Sequence, residues 1–552
     1  MRDTLPPLPP GLPPLLAHVP MGLGLVVEIG CGAGALGAWL AARDPAARRI
    51  ATTSDPEAAQ TARPHYEGVH VQPSEAGAPL PPGAANLVVL HGAMADPRAA
   101  IAAAAPLLAA DGTLLVEIPN AGHWRLAEAA LTAGTAPPPV PAHALTFDEL
   151  MAAIRAAGLV AQDMLAPVAE EAEAHAFAHR IAPSLEARGM SAEAWLRRAA
   201  PERWVLRAGR RAPQPLHLLA HVLKPVGGVN DVRINLPLSA AATWPGVTAR
   251  LGQQPATPTL PPDAPRIVVL HRRLLHTPEA TGFINHFRDR GWVVVQEFDD
   301  DPAHWPVIPA SNHFAFRGVH AVQTTTPALE ALFRTFNDEV AIFPNTVAAL
   351  PTPANFADPS RLTLFLGALR REQDIAPLLP ALNAVLAEAG ARLAVEVVAD
   401  RATFDALATP YKRFHPLLPY DDYRALMARC EIAFLPLADT QFNNFKSDLK
   451  FVEAGAHGLC CLASPVVYGA TIRDGETGLI VRDAEALAAS LRGLLADPAR
   501  MRDIGTAARG WVRENRMLAG QTPRRLAWYR DLWARREELD AALLARAPEL
   551  AR

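Results

Sequence analysis

The chain has 552 residues, length enough for about three or four domains. Half of it is apolar and a fifth is charged, which excludes a disordered or fibrous chain and fits ordinary globular protein. The 52 basic and 56 acidic side chains leave a formal charge of −4, which excludes a general electrostatic pull on nucleic acid or anionic membrane.

Residues 1–20 form a proline-rich lead, expected to be poorly ordered or packed as a collar. Residues 21–212 follow as a first domain. A strand over Leu23 to Ile29 runs into the turn Gly30-Cys31-Gly32-Ala33-Gly34 and then a helix over Ala35 to Ala42. Strand, glycine turn and helix together let backbone amides approach a ligand closely. Further strands are expected at Arg49–Thr53, Ala84–His91 and Asp111–Ile118, with helices at Pro56–Arg63 and Pro97–Ala110. That alternation predicts a parallel, doubly wound sheet. His91 and His123 are candidate proton handlers, although a histidine near a strand end is more often structural. Residues 163–212 read as helices of mixed charge that close this domain or bridge to the next.

A second domain is expected over 213–350. Proline-rich runs around Pro213 and from Pro255 to Pro265 read as linkers. Between them, Gly227-Gly228 is either a plain turn or a contact to acceptor or phosphate, and Arg233 lies just ahead of a helix. Strands at Arg266–His271, Trp292–Gln296 and Val319–Thr325 restart the alternation. Asp299, Asp300 and Asp301 follow the second of these, at the strand end where open α/β sheets place ligands.

The third domain, 351–545, opens with the strand LTLFLGAL, interrupted at Gly367 and followed by Arg370 and Arg371. The stretch from Phe445 to Ser464, FKSDLKFVEAGAHGLCCLAS, is its centre. Lys446, Ser447 and Lys450 stand at a helix start, where unpaired N–H groups and the helix dipole favour a di-anion. Glu453, one turn further in, suits hydrogen bonds from sugar hydroxyls. These residues predict a nucleotide-diphosphate site. Cys31, Cys430, Cys460 and Cys461 lack metal-ligand spacing and are expected as buried thiols in a reducing compartment. No signal pattern and no apolar run near the roughly 20 residues of a membrane span is seen. A cytoplasmic enzyme, with at most peripheral contact at the inner face of the membrane, is expected, without a metal.

Two family resemblances sharpen these readings. VVEIGCGAG, SDPEAAQTAR, ANLVVLH, LLAADGTLLVEIPNAGHW and HALTFDELMAAIRAAGL resemble class I S-adenosylmethionine-dependent methyltransferases over about residues 20–210. The resemblance implies S-adenosylmethionine held by Glu28, Gly30, Gly32 and Gly34. Thr53 stands where the family has a ribose-binding acid, and Asp55 comes two residues late. LFLGALRRE, LPYDDYRALMARCEIAFLPL, KSDLKFVEAGAHGLCCLAS and DGETGLIVRDAEALAASLRGLLADPARMRDIG resemble GT-B glycosyltransferases of the family-4 type over about 216–545. This implies three Rossmann-like doubly wound α/β domains, the last two facing across a cleft. It assigns the donor diphosphate of a nucleotide sugar to Arg370 or Arg371 and to Lys446 or Lys450, and the nucleotide ribose to Glu453. It also implies retention at the sugar carbon by same-face attack. Phe445 occupies a position where many relatives carry a second, sugar-contacting Glu. Asp299, Asp300, His271 or His313 would position the hydroxyl of a glycan or glycolipid acceptor. The leading expectation is a glycosyltransferase for surface polysaccharide or glycolipid, fused to a methyltransferase-like domain. The alternatives are a transferase with a non-catalytic docking module, and a carbohydrate-binding scaffold.

Overall fold

The computed structural model describes residues 14–92, 94–132, 143–165, 171–224, 228–276, 279–354, 356, 358, 360–367 and 371–551. Arg370, Gly227 and the start of the proline-rich lead lie outside the described residues. The chain forms two compact units. One takes in Pro7–Pro215 and Ala242–Val247; the other takes in Leu216–Ala241 and Thr248–Arg552.

The first unit is built on β1 (Leu25–Ile29), β2 (Arg48–Thr53), β3 (Gly68–Val71), β4 (Ala85–Leu90), β5 (Leu108–Pro119), β6 (Val160–Met164) and β7 (Arg203–Gly209). They pair in the order β3-β2-β1-β4-β5-β7-β6. The pairs among β1 to β5 are parallel, and β7 runs antiparallel to both neighbours. The β1 residues LVVEI are all buried, as a near-continuous apolar run must be when both faces of a parallel sheet are covered. Over Pro14–His18 the lead packs as a collar, with Leu15 and Leu16 fully buried beside Leu36 and Leu40. Residues 242–247, expected in the second domain, belong here. Thr243 Oγ1 accepts from the Met21 amide at 3.1 Å, and Trp244 Nε1 donates to the Met21 carbonyl at 2.8 Å.

The second unit contains two six-stranded sheets. One comprises β8 (Leu216–His221), β9 (Val247–Gly252), β10 (Arg266–His271), β11 (Val293–Glu297), β12 (Ala321–Thr324) and β13 (Val340–Ile342), in the order β13-β12-β11-β10-β8-β9. The other comprises β14 (Leu362–Gly367), β15 (Leu393–Val398), β16 (Lys412–His415), β17 (Ile432–Leu435), β18 (Cys460–Ala463) and β19 (Leu479–Ile480), in the order β16-β15-β14-β17-β18-β19. All pairs in the latter are parallel. Three doubly wound α/β sheets are thus present, two of them within one unit in the GT-B manner. Strand order reverses between β8 and β10 and again between β14 and β17. At such a switch point the connections leave in opposite directions and open a crevice beyond the carboxyl ends of the strands.

The last helices, Leu518–Ala534 and Arg536–Arg546, return to the β8–β13 sheet rather than staying on the third one. Tyr529 Oη donates to Gln323 Oε1 at 2.8 Å, and Arg288 reaches Asp540 at 2.7 Å. Leu543, Ala547 and Leu550 complete the core around Val268 and Leu270. The last helices of the stretch expected as the third domain, 351–545, thus pack on the β8–β13 sheet. Apolar periodicity shows that a helix has a face to bury, but not which of two apolar sheets will cover it.

Candidate active site

The carboxyl ends of the two sheets of the second unit enclose a cavity of about 390 Å³. Its wall on the β14–β19 side is set by the helix Leu449–His457. Seven of that helix's residues are buried, because Ala454, Gly455 and Ala456 let it sit close to its neighbours. Its entry is fixed at Asp448, which accepts from Arg516 at 2.7 and 3.0 Å and from Thr471 Oγ1 at 2.8 Å. Lys450 points along the cavity floor and donates to the Gly367 carbonyl at the end of β14. Burial pulls its ammonium down to about 8. Glu453 is one turn further in and accepts from Tyr420 Oη at 2.8 Å. Burial pushes its carboxyl up from the usual range. Arg371 also lines the cavity and is held by Asp374 at 2.9 Å and by Asn443 Oδ1 at 2.8 Å.

The opposite wall comes from β8, β10 and β11. Arg272 directly follows β10 in the left-handed conformation, φ 47°, uncommon for a residue with a side chain. Its Nε donates to Asp299 Oδ1 at 2.5 Å, and its other end lies 3.7 Å from Asp300. Burial alone would push Asp299 up, but the Arg272 and Arg233 guanidiniums outweigh it and hold the carboxyl at about 2. Lys446 reaches across the cavity to Asp300 Oδ1 at 2.6 Å, with its ammonium over the Phe442 ring. Arg233, itself 1% exposed, donates to Glu297 at 2.8 Å and to Asn345 Oδ1 at 2.9 Å. Asn345 in turn donates to Ser447 Oγ at 2.7 Å, which links the two walls a second time.

Of the residues expected at the site, Asp299, Asp300, Arg371, Lys446, Ser447, Lys450 and Glu453 all line this one cavity. His271 and His313 do not. His271 is buried behind the wall, with no hydrogen-bond partner for either ring nitrogen, and burial pulls it down to about 4. His313 is stacked on Phe336 at 4.1 Å. Phe445 turns away to pack on the apolar core of the β8–β13 sheet. The cavity also gathers Arg272, Asn345, Tyr420 and Tyr423, which sequence reasoning did not place there. Arg272 carried a usable signal, since it is the first residue beyond a predicted strand. Asn345 carried none, because its place depends on how the two sheets face each other, whereas Tyr420 and Tyr423 lie on the same side as Glu453 and Gly367, in the stretch LPYDDYRALMARCEIAFLPL.

In the first unit, β1 and β4 end side by side at the point where strand order reverses. Glu28 is 1% exposed, and both of its carboxylate oxygens are engaged. Tyr66 donates to Oε2, and His91 Nε2 lies 2.5 Å from Oε1. Tyr66 Oη also accepts from the Gly37 amide at 2.9 Å, in the first turn of the helix Ala35–Arg43. The Tyr66 ring lies so close to Gly37 that a Cβ there would collide with it, and a Cβ at Gly34 would collide with Ala62. Gly32 has open space around it. Asp55 caps the helix Pro56–Ala62, accepting from Glu57 N at 2.9 Å, and Thr53 Oγ1 accepts from the Asp55 amide. His123 packs beside Trp124.

Cys31, Cys430, Cys460 and Cys461 are buried free thiols. Among the described residues there is no cluster of three or more metal-ligating side chains, and no helix is long and apolar enough to cross a membrane.

Residues 360–497 match the family described as glycosyl transferases group 1. Arg371, Lys446, Ser447, Lys450 and Glu453 all fall within the match. A comparison with curated proteins returns no match. Among solved structures, TarM of S. aureus is 11% identical over 48% of this chain and 54% of its own, with a TM-score of 0.38. The chain thus spans about half the length of that relative. Anabaena Alr3699/HepE, solved with UDP and glucose, is 12% identical over 57% of this chain and 99% of its own, with a TM-score of 0.41. The sucrose-phosphate synthase of Thermosynechococcus elongatus is 16% identical over 58% and 99%, with a TM-score of 0.43. Residues 360–497 thus match a group 1 glycosyltransferase model, and they lie in a second unit that pairs two doubly wound sheets.

Proposed function

We propose that the second unit moves a sugar from a nucleoside-diphosphate donor to a hydroxyl of a surface polysaccharide or glycolipid, at the cytoplasmic face of the membrane. The observation that carries this reading is the meeting of Arg371, Lys446, Lys450 and Glu453 on one wall of a cavity whose other wall presents Asp299 and Asp300. In the reaction the bond from the sugar carbon to the diphosphate breaks and a bond from that carbon to the acceptor oxygen forms. The acceptor's proton leaves on the diphosphate. Negative charge grows on the leaving group, and fixed cations in a partly water-excluded site offset it without reorganising. Glu453, oriented by Tyr420, accepts from the ribose hydroxyls. Same-face attack, with retention at the sugar carbon, is the geometry the family resemblance implies.

Calorimetric titration of the full chain with UDP, GDP, ADP and dTDP should show binding of at least one of them. Glu453→Gln should weaken that nucleotide by about 10- to 100-fold, the worth of hydrogen bonds to a charged acceptor, and leave inorganic pyrophosphate binding unchanged. If none of the four binds the wild-type chain, the proposal fails.

For the first unit, one observation favours a non-catalytic docking role over methyl transfer. Glu28 is committed to Tyr66 and His91, Asp55 to a helix cap, and the Gly37 amide to Tyr66. These groups do not fit S-adenosylmethionine as they stand, and we assign no methyl-transfer step. Titration of the full chain with S-adenosylmethionine is expected to give no heat of binding. A micromolar dissociation constant would restore the bifunctional reading.

A further inference from the structure

We propose that Asp300 is a counter-ion held in trust for the donor: it binds Lys446 while the cavity is empty of diphosphate, and it is released to the acceptor hydroxyl only when the diphosphate takes Lys446 from it. This rests on the nucleoside-diphosphate reading above and extends it from which groups bind to how the two substrates are ordered.

The two aspartates differ in how they are held. Asp299 is paired end-on with Arg272 at 2.5 Å, and both belong to the β8–β13 sheet, so that pair is internal to one wall. Asp300 is 10% exposed at its side chain and makes its closest ionic contact across the cavity, with Lys446 at 2.6 Å. Its second guanidinium contact, to Arg272, is at 3.7 Å and weak by comparison. It also accepts locally from the Asp301 amide at 3.0 Å. Asp300 is therefore the carboxylate whose main partner comes from the donor-binding wall.

Lys446 is equally suited to change partner. The backbone on its carboxyl side is pinned by Asn345 to Ser447 and by Arg516 to Asp448. The four-carbon side chain is held at its tip, by Asp300 and the Phe442 ring, and a Lys ammonium is a mobile point charge rather than a rigid fork. The ammonium is 21% exposed at its side chain and shares the cavity with Arg371 and Arg272, whose like charges disfavour it there. A diphosphate carries more charge than one carboxylate, and at the start of the helix Leu449–His457 it would also meet first-turn N–H groups. Exchange of Asp300 for diphosphate is thus downhill for Lys446. The same step leaves Asp300 without its closest cation, next to where an acceptor hydroxyl must come. A hydroxyl donating to that carboxylate restores its lost partner. The acceptor site is in this way completed by the donor, which keeps acceptor from occupying the cleft first.

The test is the affinity of the full chain for UDP, GDP, ADP and dTDP, measured by calorimetry on the wild type, Asp300→Asn, Lys446→Ala and the double variant. If Asp300 competes with the diphosphate for Lys446, Asp300→Asn tightens binding by about three- to tenfold, the range of coupling between neighbouring charges. The gain must vanish in the double variant, which should match Lys446→Ala. If Asp300 instead only props Lys446 in place for the donor, Asp300→Asn weakens binding or leaves it unchanged, and the proposal is overturned. Asp300→Ser repeats the measurement should the asparagine variant not fold. Failure of the wild type to bind any of the four nucleotides would overturn the underlying functional reading, and is distinguishable from an Asp300→Asn variant that binds no tighter.

Discussion

Replacing Lys450 with methionine is expected to cut donor turnover by about 100- to 1000-fold, the usual cost of removing one preorganised charge from a leaving-group site. The same substitution is expected to stabilise the fold at neutral pH. The two effects have one cause. The ammonium is buried and donates to a backbone carbonyl, and burial lowers it from 10.5 to about 8. Holding it charged at neutral pH therefore costs about 3 kcal/mol, on the conversion of 1.36 kcal/mol per pKa unit. The folded pKa lies below the unfolded one, so between about pH 8 and 10.5 the unfolded chain binds more protons and wild-type stability rises with pH. In Lys450→Met that rise disappears. Donor binding moves the other way: it needs the charged form, so affinity falls as pH rises past about 8. Unfolding midpoints and nucleotide affinity measured across pH 7 to 10 on both proteins check these expectations. Parallel losses of stability and activity in the variant would mean that Lys450 is a packing residue and not a diphosphate ligand.

Arg233→Ala should be the most damaging substitution to stability, by about 3–5 kcal/mol, because it strands a buried carboxylate. Arg233 and Glu297 are 1% and 0% exposed. Burial pushes Glu297 up, and Arg233 opposes that push with its charge and its hydrogen bond. The other Glu297 oxygen accepts from Gln323 at 2.6 Å, and Gln323 accepts from Tyr529 on the returning carboxyl-terminal helix. On the cavity side Arg233 holds Asn345, which holds Ser447. One guanidinium thus connects the carboxyl-terminal helix, the β8–β13 sheet and the segment around Ser447. Pairing Arg233→Met with Glu297→Leu should recover most of the lost stability, since an apolar pair of similar volume needs no desolvation. It should not recover donor turnover, because the hold on Asn345 is gone. Chemical unfolding of the single and double variants separates the two outcomes. If Arg233→Ala unfolds at the wild-type denaturant concentration, the network does not hold the walls together.

Much of this molecule was legible in its sequence because the relevant information is local. Runs such as LVVEI and RIVVLH are nearly continuous in apolar residues, as a strand covered on both faces requires. The stretch from Lys446 to Glu453 stood out by lysines and a serine ahead of a small-residue helix, and the structure puts Lys446, Ser447, Lys450 and Glu453 on one cavity wall. Even Asp299 and Asp300 could be placed, since they follow the end of a strand in an open sheet. What the sequence by itself determined was therefore the alternation of strands and helices and the charged or polar side chains at their carboxyl ends. Only the tertiary structure decided which of those side chains meet. It put Arg272 and Asn345 into the cavity, left His271 behind the wall and sent Phe445 into a core. It also paired Lys446 with Asp300, 146 residues apart. Such pairings depend on how two sheets face each other, and that is set by long-range packing of apolar faces, which carry no label for their partner. The Phe445–Ser464 stretch needed both: its residues bring the lysines, Ser447 and Glu453 to one wall of the cavity, and the facing wall supplies the carboxylate that holds Lys446.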